Sequence, residues 1–322
     1  MRFSVIIPLY NKAAYVTKAL DSVLTQTYTD YECIVVDDGS ADNSRQVVEQ
    51  WLENNHSSLF RLICQPNKGV STARNNGVAA SQGDYVCFLD ADDWWTPSFL
   101  EEMDCLISNF PAAGIYGTSY FIVKNGKNKV APIAFDESFE RGYVDYIKMY
   151  TRYLCMPLTS ITVAVPRKVF DEMQGFRPQL KLGEDFDLWL RIALKYRIAM
   201  LNRQLAYYNQ DVPANMRATR NMHAPEHTEY FYYSQYENEY PENKELKTLL
   251  DIKRVDCMIG YYLSAEYAEF AKVELAKVDW SKQPESMIRL YRQPKWFLKT
   301  KRSFMKLGSR VKQLIIKKIR RQ

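Results

Sequence analysis

The chain has 322 residues, 47% of them hydrophobic and 25% charged, which supplies enough apolar side chains for one large domain with an appendage. No stretch reaches bilayer-spanning length, the N-terminus enters a strand directly without a signal-peptide pattern, and the six cysteines (33, 64, 87, 105, 155 and 257) lack metal-ligand spacing. A membrane-embedded protein, a leader and a cysteine-held metal are therefore not expected, and the cysteines read as small core residues of a reducing compartment.

The opening run Val5-Ile6-Ile7-Pro8-Leu9-Tyr10-Asn11 is β-rich and broken by proline and asparagine. Residues 14–25 follow with Val16, Leu20, Val23 and Leu24 at helical spacing. A second apolar run, 33–36, ends in Asp37-Asp38-Gly39-Ser40 and leads into a helix over 42–52. A third, 60–64, ends in Gln65-Pro66-Asn67-Lys68-Gly69. The helix over 70–80 that follows presents Ala73, Gly77 and Ala80 as a flat face for close packing. Strands alternating with helices at this rhythm predict a largely parallel sheet, and the handedness of crossovers puts the polar strand ends on one edge.

The fourth run, 85–89, passes straight into Asp90-Ala91-Asp92-Asp93. A buried strand that ends in carboxylates offers hard oxygen ligands at the sheet edge where α/β proteins bind, a place to hold a divalent cation and through it a diphosphate. The same residues also suit a turn, with Asp93 or Thr96 capping a helix near Pro97. Further on, Glu184-Asp185 follows a glycine-bearing loop, 175–183, and precedes an amphipathic segment with Phe186, Leu188, Trp189, Ile192 and Leu194. Carboxylates at a helix start are also favoured by the macrodipole alone. Residues 205–209 read as a last strand.

These pieces, in this order, resemble the family 2 glycosyltransferases of the GT-A fold. The resemblance is carried by residues 5–11, Val36-Asp37-Asp38-Gly39-Ser40, the stretch from Asn67 through Lys68, Arg74 and Asn75, Phe88-Leu89-Asp90-Ala91-Asp92-Asp93, and Gly183-Glu184-Asp185 with the helix behind it. It covers about the first two-thirds of the chain. It implies an α/β fold with a mostly parallel central sheet flanked by helices, and a metal-dependent inverting transfer of sugar from a nucleoside diphosphate sugar, a UDP-sugar foremost.

By the same resemblance, Pro8, Tyr10 and Asn11 belong to the nucleotide site, with Pro8 and Tyr10 lining the base pocket. Asp38 accepts a hydrogen bond from the base, the other reading of Asp37 and Asp38 being a turn before the helix. Lys68 and Arg74 fall to the ribose or phosphate, or to an ordinary surface helix, and Asp90 to the ribose or a metal-bound water. Asp92 binds Mn²⁺ or Mg²⁺ directly. The pair Glu184 and Asp185 is catalytic, with Asp185 as the general base toward the acceptor hydroxyl. His223 and His227, four apart, are either a further metal ligand or a surface pair on one helix face. Tyrosines between 230 and 240 read as helix packing ahead of sugar stacking.

Charge divides the chain. Of its 43 basic residues thirteen lie in 286–322, a stretch with no Asp or Glu, so the remainder is net acidic. Trp296, Phe297, Phe304, Leu307, Val311, Leu314 and Ile315 add an apolar face, interrupted by the weak helix former Gly308. A basic amphipathic helix of this kind reads as a segment lying on an anionic membrane surface, against a packed helix or a nucleic-acid arm, and no nucleic acid is expected. The expected organisation is a catalytic domain over 1–220, a helical extension over 221–284 and the basic tail over 285–322. The implied acceptor is a glycan, lipid-linked and at the cytoplasmic face of a bacterial membrane, in cell-surface polysaccharide synthesis. The alternatives are a non-catalytic nucleotide-sugar-binding or assembly protein on the same fold, and a nucleotidyltransferase that releases pyrophosphate.

Overall fold

The computed structural model describes residues 2–133, 135–153, 155–213 and 222–300, and its chain divides into two compact units, Met1–Ser234 and Gln235–Gln322. The first unit is built on β1 (Phe3–Leu9), α1 (Val16–Leu24), β2 (Tyr31–Asp37), α2 (Ser44–Asn55), β3 (Phe60–Cys64), α3 (Val70–Ala79) and β4 (Tyr85–Phe88). β1 lies between β2 and β4, β3 flanks β2, and all three pairings are parallel. Every carboxyl end of these four strands therefore opens on one edge. Val5, Ile6, Ile7 and Leu9 are fully buried, each contributing about 1.5–3 kcal/mol by withdrawal from water. Gly77 lets α3 settle on this sheet: a Cβ there would stand 2.4 Å from Ile6 Cγ2 and 3.1 Å from Val36 Cγ2.

Past β4 the chain forms β5 (Trp94–Trp95), α4 (Phe99–Asn109), β6 (Ala113–Lys124), β7 (Lys127–Val130), β8 (Arg141–Val144), α5 (Tyr146–Tyr153), β9 (Val163–Pro166), α6 (Arg167–Glu172), α7 (Glu184–Ala193) and β10 (Arg197–Asn209). The sheet continues from β4 through antiparallel β9 to β6, which runs parallel to β10, and β5 closes the order. β10 starts eight residues before the strand expected at 205, because bulges around Gln204 carry the polar residues Asn202 to Gln204 through one long strand. Residues 118–130 form the end of β6 and its hairpin partner β7, and β8 begins at Arg141 beside β10. Gly114 and Gly117 serve close approach inside β6, since a Cβ at either would meet Tyr196 or Leu158 within 2.4 Å.

The first unit includes residues 222–234, placed in the extension by the sequence reading. A short bridge pairs Leu182 with Thr228, the Lys181 N–H donates to the His227 carbonyl at 2.8 Å, and Tyr230 and Tyr233 are buried. The second unit holds most of α8 (Tyr233–Glu239), then α9 (Lys244–Cys257), α10 (Ile259–Tyr262), α11 (Ala268–Ala276) and α12 (Glu285–Arg292). Its centre is Arg254, fully buried and paired with Glu237, Glu274 and Asp251. Residues 295–300 are helical; the tail beyond them, with Phe304 to Ile315 of the expected apolar face, lies outside the described residues. No helix among the described residues is long and apolar enough to cross a membrane.

Candidate active site

The polar strand ends hold one another in place. Asn11, at φ 52°, accepts the Ala41 N–H at 2.7 Å with its side-chain oxygen, tying the loop after β1 to the turn after β2. Asp37 accepts the Ser40 N–H at 3.2 Å, the turn role weighed for it. Asp38 reaches farther. Its carboxylate accepts Lys68 N–H and Gly69 N–H, both at 2.8 Å, and the Gln65 side-chain amide at 2.7 Å. Asp38 thus orders the loop before α3, which Gly69 enters at φ 87°. Tyr10, 47% exposed, and Lys68 stand open at the same edge.

After β4 the three aspartates part company. Asp93 is buried and accepts the Asn209 N–H at 2.7 Å, so it anchors the end of β10 rather than capping α4. Burial and the neighbouring Asp92 and Asp90 hold its carboxyl well above the usual carboxylate range. Asp90 receives Arg74 Nη2 at 2.6 Å and Ser160 Oγ at 3.3 Å. Asp92 receives Lys12 Nζ at 2.6 Å; burial raises its carboxyl, Lys12 opposes that rise and Asp90 adds to it.

α7 begins at Gly183, in the left-handed region at φ 77°, with Glu184, Asp185 and Asp187 in its first turn. Asp187 is fully buried and pairs with Arg177 and Arg191; Arg191 also donates to the Gly175 carbonyl at 2.8 Å and to that of Met173. Asn75 clamps the same loop, donating to the Phe176 carbonyl at 2.7 Å and accepting its N–H at 3.0 Å. The loop is therefore a fixed support for the two carboxylates that follow it.

Arg74 joins the two carboxylate clusters. Its side chain is 3% exposed, and while one nitrogen binds Asp90 the other binds Glu184 at 3.0 Å. The ribose or phosphate role expected for Arg74 meets a guanidinium already engaged by Asp90, Glu184 and Ser160. In this structure it works as a strut. Asp185, next to Glu184, keeps a little surface open, accepts the Phe186 N–H at 2.7 Å, and is pushed up to about 7. Burial is the main cause, the Glu184 charge adds to it, and Arg74 opposes it. The Tyr208 phenol is pushed up to about 12 by burial first and then by Asp93, Asp90, Asp185 and Asp92, so one side chain feels both clusters.

Four residues here escaped the sequence reading: Lys12, Ser160, Tyr208 and Glu229. Glu229 is buried against Gly183, where a Cβ would come within 2.0 Å of its carboxylate. Lys12 alone had a local signal, directly following Asn11; the others meet the site only through tertiary packing. His223 and His227 do not share a helix. His227 ends a 3-10 turn (Pro225–His227), and its Nδ1 donates to the Gln179 carbonyl at 2.9 Å.

No group of three His, Cys, Asp or Glu among the described residues has the arrangement of a protein-only metal cage. What is present fits a different kind of site. Asp92 is a largely withdrawn carboxylate that already carries a cation on one oxygen, and it suits a magnesium-type ion that takes one or two protein carboxylates and completes its shell with phosphate oxygens and water.

Comparison with known proteins decides the lineage. The sequence model of the family described as Glycosyl transferase family 2 matches residues 4–173. The chain belongs to that family. An uncharacterized glycosyltransferase of Nostoc sp. is 34% identical over 212 residues, 65% of this chain and 64% of the Nostoc protein. Glycosyltransferase GlyA of Streptococcus pneumoniae is 30% identical over 214 residues, 64% of this chain and 30% of the pneumococcal protein. The matched regions thus span less than two-thirds of either relative. Among solved structures, S. aureus TarS in complex with UDP-GlcNAc superposes with a TM-score of 0.69 at 22% identity, over 85% of this chain and 78% of that one. The mannosyltransferase PcManGT of Pyrobaculum calidifontis, in complex with GDP-Man and Mn²⁺, gives 0.50 at 17% identity, covering 88% of each chain. These likenesses support the GT-A-type α/β fold.

Proposed function

We propose that this family 2 chain is a metal-dependent inverting glycosyltransferase that moves a sugar from a UDP-sugar to a hydroxyl of a glycan acceptor. The observation that carries the reading is the Arg74 strut, which binds Asp90 of the strand-end cluster and Glu184 beside Asp185 with one buried guanidinium. Donor and base then stand on opposite sides of one short link. Pro8, Tyr10, Asn11 and Lys68 border the nucleotide, while Asp38 shapes the loop that receives it. Asp92, with Asp90 beside it, would hold Mn²⁺ or Mg²⁺, which when bound neutralises charge on the leaving diphosphate.

Asp185 supplies the other half. A carboxylate with its proton affinity raised to about 7 accepts the acceptor's hydroxyl proton more readily than an ordinary aspartate. A single base opposite the leaving group serves one in-line displacement with inversion. Glu184 holds the strut, and its charge helps keep Asp185 basic. The solved neighbour bound to UDP-GlcNAc makes that compound the first donor to test.

The tail supports a place for the reaction. α12 carries Arg289 and Arg292, and the helical residues 295–300 expose Trp296 and Phe297 beside Lys295 and Lys299. In our reading this basic, aromatic stretch rests on the anionic inner face of a bacterial membrane and presents a lipid-linked glycan acceptor to the site, in cell-surface polysaccharide synthesis. The test is release of UDP by the full chain from a panel of UDP-sugars with Mn²⁺, with and without vesicles carrying lipid-linked glycans. Mn²⁺-dependent release that rises with those vesicles supports the reading. UDP binding without release under any condition would favour a binding protein on this fold.

A further inference from the structure

Lys12 has no part in the reaction as described above, yet its position is closely fixed. Its N–H donates to Ser44 Oγ at 2.7 Å, and its carbonyl accepts the N–H groups of Tyr15 and Val16 where α1 begins. From that anchor just past β1 the side chain crosses to the end of the adjacent strand β4 and places Nζ 2.6 Å from Asp92 Oδ2. The two side chains are 15% and 19% exposed, so this is no screened surface contact. Removing either charge leaves the other poorly solvated.

We propose that Lys12 is the switch of the cation site: it neutralises Asp92 while the donor is absent, opposes a lone divalent cation there, and turns to the diphosphate oxygens when donor and cation arrive together. The proposal rests on the metal-dependent reading of Asp92. An ammonium on one carboxylate oxygen and a divalent ion on the other repel each other strongly at low dielectric. A lone cation would therefore have to displace Lys12 and strand its charge in the cleft. A diphosphate removes that penalty by giving the ammonium a new anionic partner, and a lysine suits the exchange as a compact charge with rotatable donors on a flexible stem. Cation and nucleotide then strengthen each other's binding, and linkage makes the effect reciprocal. The device keeps stray cations off Asp92 and reserves the site for the cation–diphosphate pair.

The experiment is calorimetry on the full chain with Mn²⁺ alone, UDP alone and both, for the wild type, Lys12→Met and Lys12→Arg. For the wild type, Mn²⁺ should bind at least about tenfold more tightly with UDP present than without. Lys12→Met should bind Mn²⁺ alone at least about tenfold more tightly than the wild type and lose most of the coupling, while Lys12→Arg, which keeps the charge, retains it. Melting curves give a second readout, since Mn²⁺ alone should raise the Tm of Lys12→Met more than that of the wild type. Mn²⁺ affinity in Lys12→Met no better than wild type overturns the proposal. So does equal wild-type affinity for Mn²⁺ with and without UDP, a result that needs no variant. If the wild type takes up no Mn²⁺ even with UDP, the cation reading of Asp92 itself falls, an outcome distinct from either of these.

Discussion

The two edges of the first unit that we assign to the nucleotide and to the base hold their polar residues in place by different means. At the nucleotide edge of our proposal, Asn11, Asp37 and Asp38 bind backbone N–H groups of the next loops along the chain, 3 to 30 residues away. At the base edge, Asp185 is held by a glycine-led helix whose support comes from afar, through Arg74, Asn75 and Glu229. Local scaffolding leaves a signature in sequence; distant scaffolding does not. The base edge should therefore be the more sensitive to changes outside the motifs.

The largest effect is expected from cutting the strut. Arg74→Met leaves Asp90 and Glu184 facing each other without the buried guanidinium, and should lower stability by about 3 kcal/mol or more, measured by urea unfolding. Because Arg74 opposes the rise of the Asp185 carboxyl, the variant should also move the acidic limb of the pH–rate profile to higher pH. An unchanged limb would mean that the two clusters are not linked as described.

Gly183→Ala asks less of the fold but strikes the base edge alone. The left-handed φ of 77° and the Glu229 carboxylate, 2.0 Å from the added Cβ, together predict a loss of about 1–3 kcal/mol. UDP binding, which our proposal assigns to the other edge, should be close to wild type. Equal damage to UDP binding would show that the two edges do not separate.

A pH-dependent effect follows from linkage at Asp185. Its folded-state carboxyl lies above its ordinary value of 3.8, so the folded chain binds the proton more tightly than the unfolded one. That contribution is fully present below pH 3.8 and is lost as pH rises through about 7. Asp185→Asn should flatten this part of the stability–pH curve between those limits, in a urea series at fixed salt.

The first half of the fold was legible because its chemistry is sequential. β1 to β4 with their helices follow from apolar runs closed by Pro, Asn, Asp and Gly, and β3 was placed over the same residues, 60–64, in sequence and structure. β6, β8 and β9 were not read as strands. Gly114 and Gly117, which serve close packing, and Thr118 and Ser119, both buried, break the apolar pattern of β6 and mimic a loop. The site was legible as residue types and not as contacts. Asp90, Asp92, Glu184 and Asp185 could be picked out, but that Arg74 ties two of them together, and that Lys12 sits on a third, depends on pairings 110 and 80 residues apart. The docking of Thr228 beside Leu182, which joins residues 222–234 to the first compact unit, likewise has no local signal.

In our proposal Asp185 removes the acceptor's proton at a site assembled around a separately bound donor. The most direct measurement compares Asp185→Asn with the wild type in two assays, UDP affinity by calorimetry with Mn²⁺ and sugar transfer across pH 5–9. UDP affinity should stay within about twofold of wild type, wild-type transfer should rise through about pH 7, and transfer in the variant should be at least about 10²-fold slower with that rise abolished. Transfer near the wild-type rate, with the same rise through pH 7, would contradict it and remove Asp185 from the role of base.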